Sequence, residues 1–409
     1  MPVELPLVLL YLATCLIAAK VGGVFAAKIK QPAVFGELIA GIMIGPSIAG
    51  WIAGQFGWPA PINPTSPTGE IVGVFADIGI IFLLFLAGLS IDVEEFKAEG
   101  WPATIVAAAG VIVSFIFGFA VAAVYGWSSM QAAFVGAVLT ATSVGITVRT
   151  LIDVDRLHTK VGMTILGAAV IDDVFGIVIL SLLSGLAFGT ISALGVLETI
   201  ALIVLFFTVV LYVGFKAAPK LFTWVSRLPA EEITLAVALA LVFLIGALAE
   251  QVRIAAITGA FIAGLILSRT PAAGTLRDKI SVIGYGLFIP LFFVEMGVRT
   301  DLGSLAGASS IAIVLVVIAI VSKIIGCGGG ALASRFSGAD SLRIGIGMIP
   351  RAEVALIIAA IGVKSGILAG PIGAQFFTIT VAIVLITSLI TPVMIKRAFK
   401  GAPQEKKRG

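Results

Sequence analysis

The chain has 409 residues, of which 60% are hydrophobic and only 12% charged, against about 25% charged in a soluble domain, so its medium is a lipid bilayer rather than water. Two cysteines, both inside apolar segments, and a single histidine, His158, exclude a disulfide framework and a Cys/His metal site. The net charge of +4 is better explained by membrane topology than by nucleic acid.

Apolar stretches long enough to cross a bilayer predict an all-α fold of thirteen transmembrane helices. The first, over 5–27, follows an N-terminus without Lys or Arg and lacks a convincing small-residue cleavage site, so it is read as a retained helix rather than a signal peptide. The others are expected at 33–52, 71–90, 103–125, 130–150, 161–187, 192–215, 231–250, 254–268, 280–298, 308–333, 341–363 and 371–396. The longest connection, 54–70, is Pro-rich and leaves no room for a soluble domain. With the N-terminus outside, twenty of the 26 Lys and Arg fall in cytoplasmic loops and the tail, and three, Arg253, Arg299 and Lys364, fall outside. This asymmetry predicts N-out, C-in. Lys20, Lys323 and Arg351 lie within helices.

The pattern repeats. Lys-Gln-Pro-Ala-Val-Phe-Gly-Glu-Leu-Ile-Ala-Gly (30–41) matches Arg-Ile-Ala-Ala-Ile-Thr-Gly-Ala-Phe-Ile-Ala-Gly (253–264). Phe-Leu-Ala-Gly-Leu-Ser-Ile-Asp (85–92) matches Val-Glu-Met-Gly-Val-Arg-Thr-Asp (294–301), and Val-Ser-Phe-Ile-Phe-Gly (113–118) matches Val-Ser-Lys-Ile-Ile-Gly (321–326). The pairs join helices 2 and 9, 3 and 10, 4 and 11. A shift of seven helices is odd, so the second copy is inverted: six helices, a linking seventh, and six more, which is a transporter architecture.

An ionisable group inside a membrane helix must be paired, neutralised or useful. Asp172 and Asp173 stand side by side in an apolar run over 161–186, about 100° apart on a helix, so one can face a partner helix and the other a cavity. Like charges this close favour uptake of a proton or a shared cation. Lys323, in the middle of helix 11, replaces Phe115 of the other copy and is the available partner, while Lys20, near a helix end, is expected to snorkel. Helix 5 carries Leu-Thr-Ala-Thr-Ser-Val-Gly-Ile-Thr (139–147), and helix 12 carries Gly-Met-Ile-Pro-Arg-Ala-Glu-Val-Ala-Leu (347–356). Glycine, proline and hydroxyls at matching depth predict two discontinuous helices meeting near the midplane. Thr142 and Ser143 are expected to face the cavity, Thr140 and Thr147 to bond their own backbone. Arg351 and Glu353 are expected to support the crossing, by pairing or by compensating opposed helix ends.

Gln-Pro-Ala-Val-Phe-Gly-Glu-Leu-Ile-Ala-Gly-Ile-Met-Ile-Gly-Pro-Ser (31–47), Thr-Ala-Thr-Ser-Val (140–144), Ile-Asp-Asp-Val (171–174), Lys323 and Pro-Arg-Ala-Glu-Val-Ala-Leu (350–356) together resemble the cation:proton antiporter-2 family, and within it the electrogenic sodium/proton antiporters of the NapA type. The resemblance covers nearly the whole chain. It implies a homodimer in the cell inner (plasma) membrane, with a dimerisation scaffold from about 1–90 and 192–298 and an ion-transport core from about 103–187 and 308–396 that moves as an elevator. It further implies that Asp173 is the ion-binding carboxylate, that Asp172 shares the site and pairs with Lys323, and that Thr142 and Ser143 line it. No cofactor is implied. The transported species are sodium, or lithium, and protons.

The residues explain how such a site would exchange ions. A buried carboxylate can hold a proton or a small cation but not both, and if a bare charge crosses poorly, competition becomes coupled antiport. Lys323 can then be a proton carrier or a static partner for Asp172. Family members with Asn or Gln before the second Asp tend to be electroneutral or potassium-efflux systems, which Asp172 argues against. A potassium/proton antiporter and, further off, a sodium-coupled organic anion symporter are the alternatives. An intramembrane aspartyl protease would need its two carboxylates on separate helices. Gly-Cys-Gly-Gly-Gly-Ala (326–331) imitates a dinucleotide fingerprint without a preceding strand, so no nucleotide is expected.

Overall fold

The computed structural model describes residues 4–58, 62–187, 193–300, 302, 310–351, 353–364, 366–368 and 370–401. Among them the regular structure is entirely helical. In chain order the helices are α1 (Leu5–Lys28), α2 (Ala33–Ile44), α3 (Trp51–Gln55), α4 (Pro67–Leu89), α5 (Val93–Ala98), α6 (Gly100–Val124), α7 (Ser129–Thr140), α8 (Val144–Asp153) and α9 (Lys160–Ala187). After them come α10 (Ala193–Val225), α11 (Ile233–Gln251), α12 (Ala256–Leu267), α13 (Ala273–Ile283), α14 (Ile289–Val298), α15 (Ser310–Ala333), α16 (Gly338–Gly347), α17 (Glu353–Lys364) and α18 (Gly370–Ala398). Eleven spans among the described residues are long and apolar enough to cross a membrane. The predicted helix over 254–268 is the shorter α12, twelve residues or about 18 Å, and the predicted helix over 341–363 is divided into α16 and α17.

The chain divides into two compact units. The first comprises Met1–Ile29, Ala33–Lys97 and Leu197–Thr300, and the second comprises Lys30–Pro32, Ala98–Val196 and Asp301–Gly409.

The first unit packs through glycine. Gly41 of α2 lies so close to the Val294 carbonyl and Gly297 of α14 that an added Cβ would collide with them, and Gly264 of α12 lies equally close to the Phe85 carbonyl and Gly88 of α4. The repeat equates Gly41 with Gly264, Phe85 with Val294 and Gly88 with Gly297. One contact therefore occurs twice, which is how small residues bring membrane helices to backbone contact. The repeat's Asp301 lies outside the described residues. Two helices depart from the expected continuous form. Gly45 and Pro46 end α2, and residues Pro46–Gly50 form a π-turn, with the Ser47 hydroxyl donating to the Thr300 carbonyl at 2.5 Å. A second π-turn, Gly284–Phe288, joins α13 to α14. Its Tyr285 carbonyl accepts from Lys20 Nζ at 2.8 Å, so Lys20 serves a carbonyl of the π-turn rather than simply snorkelling.

In the second unit α6 lies along α15 and also packs on α7 and α9. The Ser114 and Ser322 hydroxyls, equivalent in the repeat, meet at 3.1 Å. Ser128 caps α7 in a reciprocal box with Gln131, and Ser337 caps α16 by accepting from the Asp340 amide, so both broken helices begin alike. The end of α18 is held by Arg343, whose Nε donates to the Ala398 carbonyl at 3.0 Å and whose guanidinium lies over the Phe399 ring. The basic residues 406–408 lie outside the described residues.

Candidate functional site

The two broken helices of the second unit cross at their breaks. α7 ends at Thr140 and α8 begins at Val144. α16 ends at Gly347 and α17 begins at Glu353. The Ser143 amide, freed by the first break, donates to the Pro350 carbonyl of the second at 2.7 Å. Each break thus satisfies a backbone group of the other, as irregular backbone at membrane depth requires. Thr147 donates to the Gly347 carbonyl at 2.6 Å, a bond to the opposite helix that replaces the expected bond to its own backbone. Thr140 does bond locally, to the Ala137 carbonyl at 2.7 Å.

Arg351 is fully buried and caps the carbonyl end of α16. Its Nη1 donates to the Met348 and Ile349 carbonyls at 3.1 and 2.7 Å, and its Nη2 reaches the Ala319 carbonyl of α15 at 3.2 Å. A cation at that end opposes the negative pole of the half-helix. The Arg351 backbone is tied to α18: its amide donates to Thr387 Oγ1, and its carbonyl accepts from Ser388 Oγ, both at 3.1 Å. Of the two expected roles for Arg351, compensation of a helix end is the one its donors serve. Glu353 opens α17, at the positive pole of that half-helix, and its side chain lies outside the described residues.

α7, α8, α16 and α17 all pack against α9, which carries the carboxylates past the crossing. Lys323 Nζ lies 3.2 Å from both Oδ1 and Oδ2 of Asp172, with the two side chains 0% and 1% exposed. Asp173 is also buried, about 100° further round the helix. Burial along α9 is lopsided: every residue from Val161 to Val170 is buried, whereas Val174, Phe175 and Ile177 to Leu180 are half-buried. Ser143 and Thr142 are buried at the first break, and Thr142 Oγ1 finds no hydrogen-bond partner among the described residues. An oxygen left with unused lone pairs in a dry interior costs stability and is the kind of ligand that a hard cation takes.

Gly110 of α6 escaped the sequence reading. A Cβ there would collide with Cys327 Sγ and come within 3.6 Å of Lys323 Nζ, so a bare Cα forms the wall behind the amine. Its only sequence signal is a glycine in an otherwise apolar helix, which apolar membrane helices often carry.

The family model for transmembrane sodium/hydrogen exchangers matches residues 13–401. The chain belongs to this family. Membership makes it a multi-pass membrane transporter, an antiporter of sodium and protons. Among its relatives, the Na(+)/H(+)-K(+) antiporter GerN of Bacillus cereus is 35% identical over 388 residues, 95% of each chain. The high-affinity Na(+)/H(+) antiporter NhaS3 of Synechocystis is 32% identical over 433 residues, covering 99% of this chain and 92% of its own. A structure of the sodium proton antiporter MjNhaP1 from Methanocaldococcus jannaschii shares the fold, with a TM-score of 0.71 at 20% identity over 98% of this chain and 97% of that one.

Proposed function

We propose that this exchanger is an electrogenic antiporter of the cation:proton antiporter-2 family, NapA type, which expels cytoplasmic sodium or lithium in exchange for external protons across the plasma membrane. The observation that carries the reading is the pair of buried carboxylates on α9, one locked to the buried Lys323 amine and the other beside it. Asp173 binds the cation in its ionised form and a proton in its neutral form. Thr142 and Ser143 add oxygen ligands, and Asp172 joins the site when the cation enters. The cation's charge also disfavours the ammonium form of Lys323, which gives up its proton as its bond to Asp172 opens. With sodium bound, the two carboxylates, a neutral amine and the cation sum to one negative charge. With a proton on Asp173 and the ion pair restored, the site is neutral. The two loaded forms differ by one elementary charge, so each cycle is driven by about 2.3 kcal/mol per 100 mV of membrane potential.

In this reading the second unit is the moving core, and the first is the scaffold of a homodimer. The N-terminus lies outside, the C-terminus is cytoplasmic, and the full set of thirteen membrane segments counts α12 and the divided α16 and α17 with the eleven long spans. Elevator movement suits a site whose ligands all sit on one unit. Potassium/proton exchange is the second reading, favoured by the similarity to GerN, a Na(+)/H(+)-K(+) antiporter. Purified protein in liposomes, with lithium, sodium and potassium offered in turn while internal pH and membrane potential are recorded, tests both. Sodium-driven proton flux that shifts with voltage supports the proposal. Flux indifferent to voltage, or larger with potassium than with sodium, removes it.

A further inference from the structure

Lys323 and Cys327 lie one turn apart on one face of α15, and both are 0% exposed. The two positions changed together. Continued by one residue, the register that equates Phe115 with Lys323 equates Phe119 with Cys327. In the first copy the two rings stack, with centroids 6.4 Å apart; in the second an amine and a thiol stand in their places. On α6 the Cβ that Gly110 lacks would lie 2.3 Å from Cys327 Sγ and 3.6 Å from Lys323 Nζ, so thiol and amine border the same methyl-sized space.

The charges around this space are few. Asp172 of α9 holds Nζ through both oxygens at 3.2 Å, Asp173 follows it, and Asp172, Lys323 and Arg351 of the second break all act on Cys327 through their charge. Of the helices packed along α15, α6 has no charged residue and α18 none before Lys396, while Asp340 and Arg343 of α16 pair with each other. Cys327 makes no hydrogen bond among the described residues.

The antiport cycle leaves Lys323 neutral while Asp172 attends the cation. A neutral amine has a lone pair, which needs a donor. An ionised Asp172 offers none, the Ala319 carbonyl one turn back is an acceptor already engaged by Arg351, and the adjoining Ser322 hydroxyl is engaged with Ser114. The thiol is a weak donor at the amine's side. Its weakness suits the task. While Lys323 rests on Asp172 the S–H idles at little cost, because a free cysteine packs as a small hydrophobe, whereas a hydroxyl would bond back to its own helix.

We propose that Cys327 is a positioning residue for proton release: when sodium draws Asp172 away, Lys323 loses a proton to water, Nζ turns into the space left by Gly110, and the Cys327 S–H, keeping its hydrogen, donates to the vacated lone pair. The proposal deepens the antiport reading and rests on it. A bond made in the cation-loaded form and absent from the ion-paired form shifts the balance toward the former.

Two measurements test it. In Cys15→Ala the only thiol is Cys327, and its S–H stretch falls in an infrared window clear of other protein bands. Sodium added to the purified protein at constant pH should move that band to lower frequency, as donation weakens the S–H bond, and Lys323→Gln should abolish the movement. In liposomes Cys327→Val should raise KM for sodium on the order of threefold at acidic pH, where sodium must displace the lysine's proton, and should converge on the wild type once the pH is high enough for the amine to be neutral beforehand. Three results overturn the proposal: a still band in protein whose thermal unfolding sodium does delay, a shift that persists in Lys323→Gln, or a KM raised equally at every pH. The spectrum is read on the native thiol, so it decides the matter even where Cys327→Val fails to fold. Wild-type liposomes without sodium-driven proton flux would instead sink the antiport reading, whereas flux with an unmoved band sinks the role of the thiol alone.

Discussion

Replacing Lys323 by glutamine bears on stability and mechanism together. The amine and the Asp172 carboxylate are 0% and 1% exposed and 3.2 Å apart, so removing the cation strands a carboxylate in a dry interior. Breaking a buried pair from one side costs about 3–5 kcal/mol; an amide that still donates one hydrogen bond brings Lys323→Gln to the lower end of that range. Thermal unfolding in detergent should show the loss. Asp172→Leu with Lys323→Met should recover most of it, since an apolar pair of similar volume avoids the desolvation of both charges. Transport separates the two roles of the lysine. If Lys323 carries a proton, any exchange that survives in Lys323→Gln moves one proton fewer per cation, and its reversal potential stops following the membrane potential. A variant that is less stable but reverses at the wild-type potential refutes the carrier step and leaves Lys323 a static partner.

Asp173→Asn should abolish cation-dependent proton movement and leave a folded protein, because an amide neither exchanges protons nor neutralises a cation; near-normal exchange in liposomes would remove Asp173 from the site. Single cysteines at the exposed positions Thr65 and Arg227 should react from outside and from the cytoplasm respectively, and the opposite pattern reverses the orientation. Gly41→Ala should destabilise the first unit by about 1–3 kcal/mol, because its Cβ meets the Val294 carbonyl; an unchanged unfolding temperature argues against that backbone approach.

What the sequence showed depended on how local the cause was. The breaks at 141–143 and after Gly347 were legible because glycine, proline and clustered hydroxyls interrupt the helical backbone by their own chemistry. The spans were legible because hydrocarbon thickness sets their length. The π-turn after Gly45 was not, because Pro46 is equally at home in the first turn of a continuing helix. Nor was the destination of Thr147: its bond to Gly347 crosses 200 residues of sequence, and a hydroxyl's own backbone is the nearer partner. Gly110 matters only because α15 brings Cys327 and Lys323 against it, a circumstance of packing that no window on α6 contains.

The repeat makes a sharper separation between what packs and what carries charge. Where the two copies agree, the shared residues bring helices together: Gly41 and Gly264, Gly88 and Gly297, and the Ser114 to Ser322 bond at 3.1 Å. At three of the positions where they disagree, the second copy carries a charge that the first lacks. Lys323 stands where the first copy has Phe115, Glu295 where it has Leu86, and Arg299 where it has Ser90. The crossing follows the same rule, with Thr142 and Ser143 on one break and Arg351 on the other, and only the second break carries a guanidinium on its helix end. Packing that serves both copies can be symmetric, because each copy brings its helices together by the same small-residue contacts. An exchanger that distinguishes inside from outside needs its charges on one copy and not the other. A residue that departs from its repeat partner by gaining a charge is therefore a stronger functional signal in this chain than one that matches it, and by that criterion the Glu295 and Arg299 pair, and the buried Glu37 that answers to Ala260, rank with Lys323.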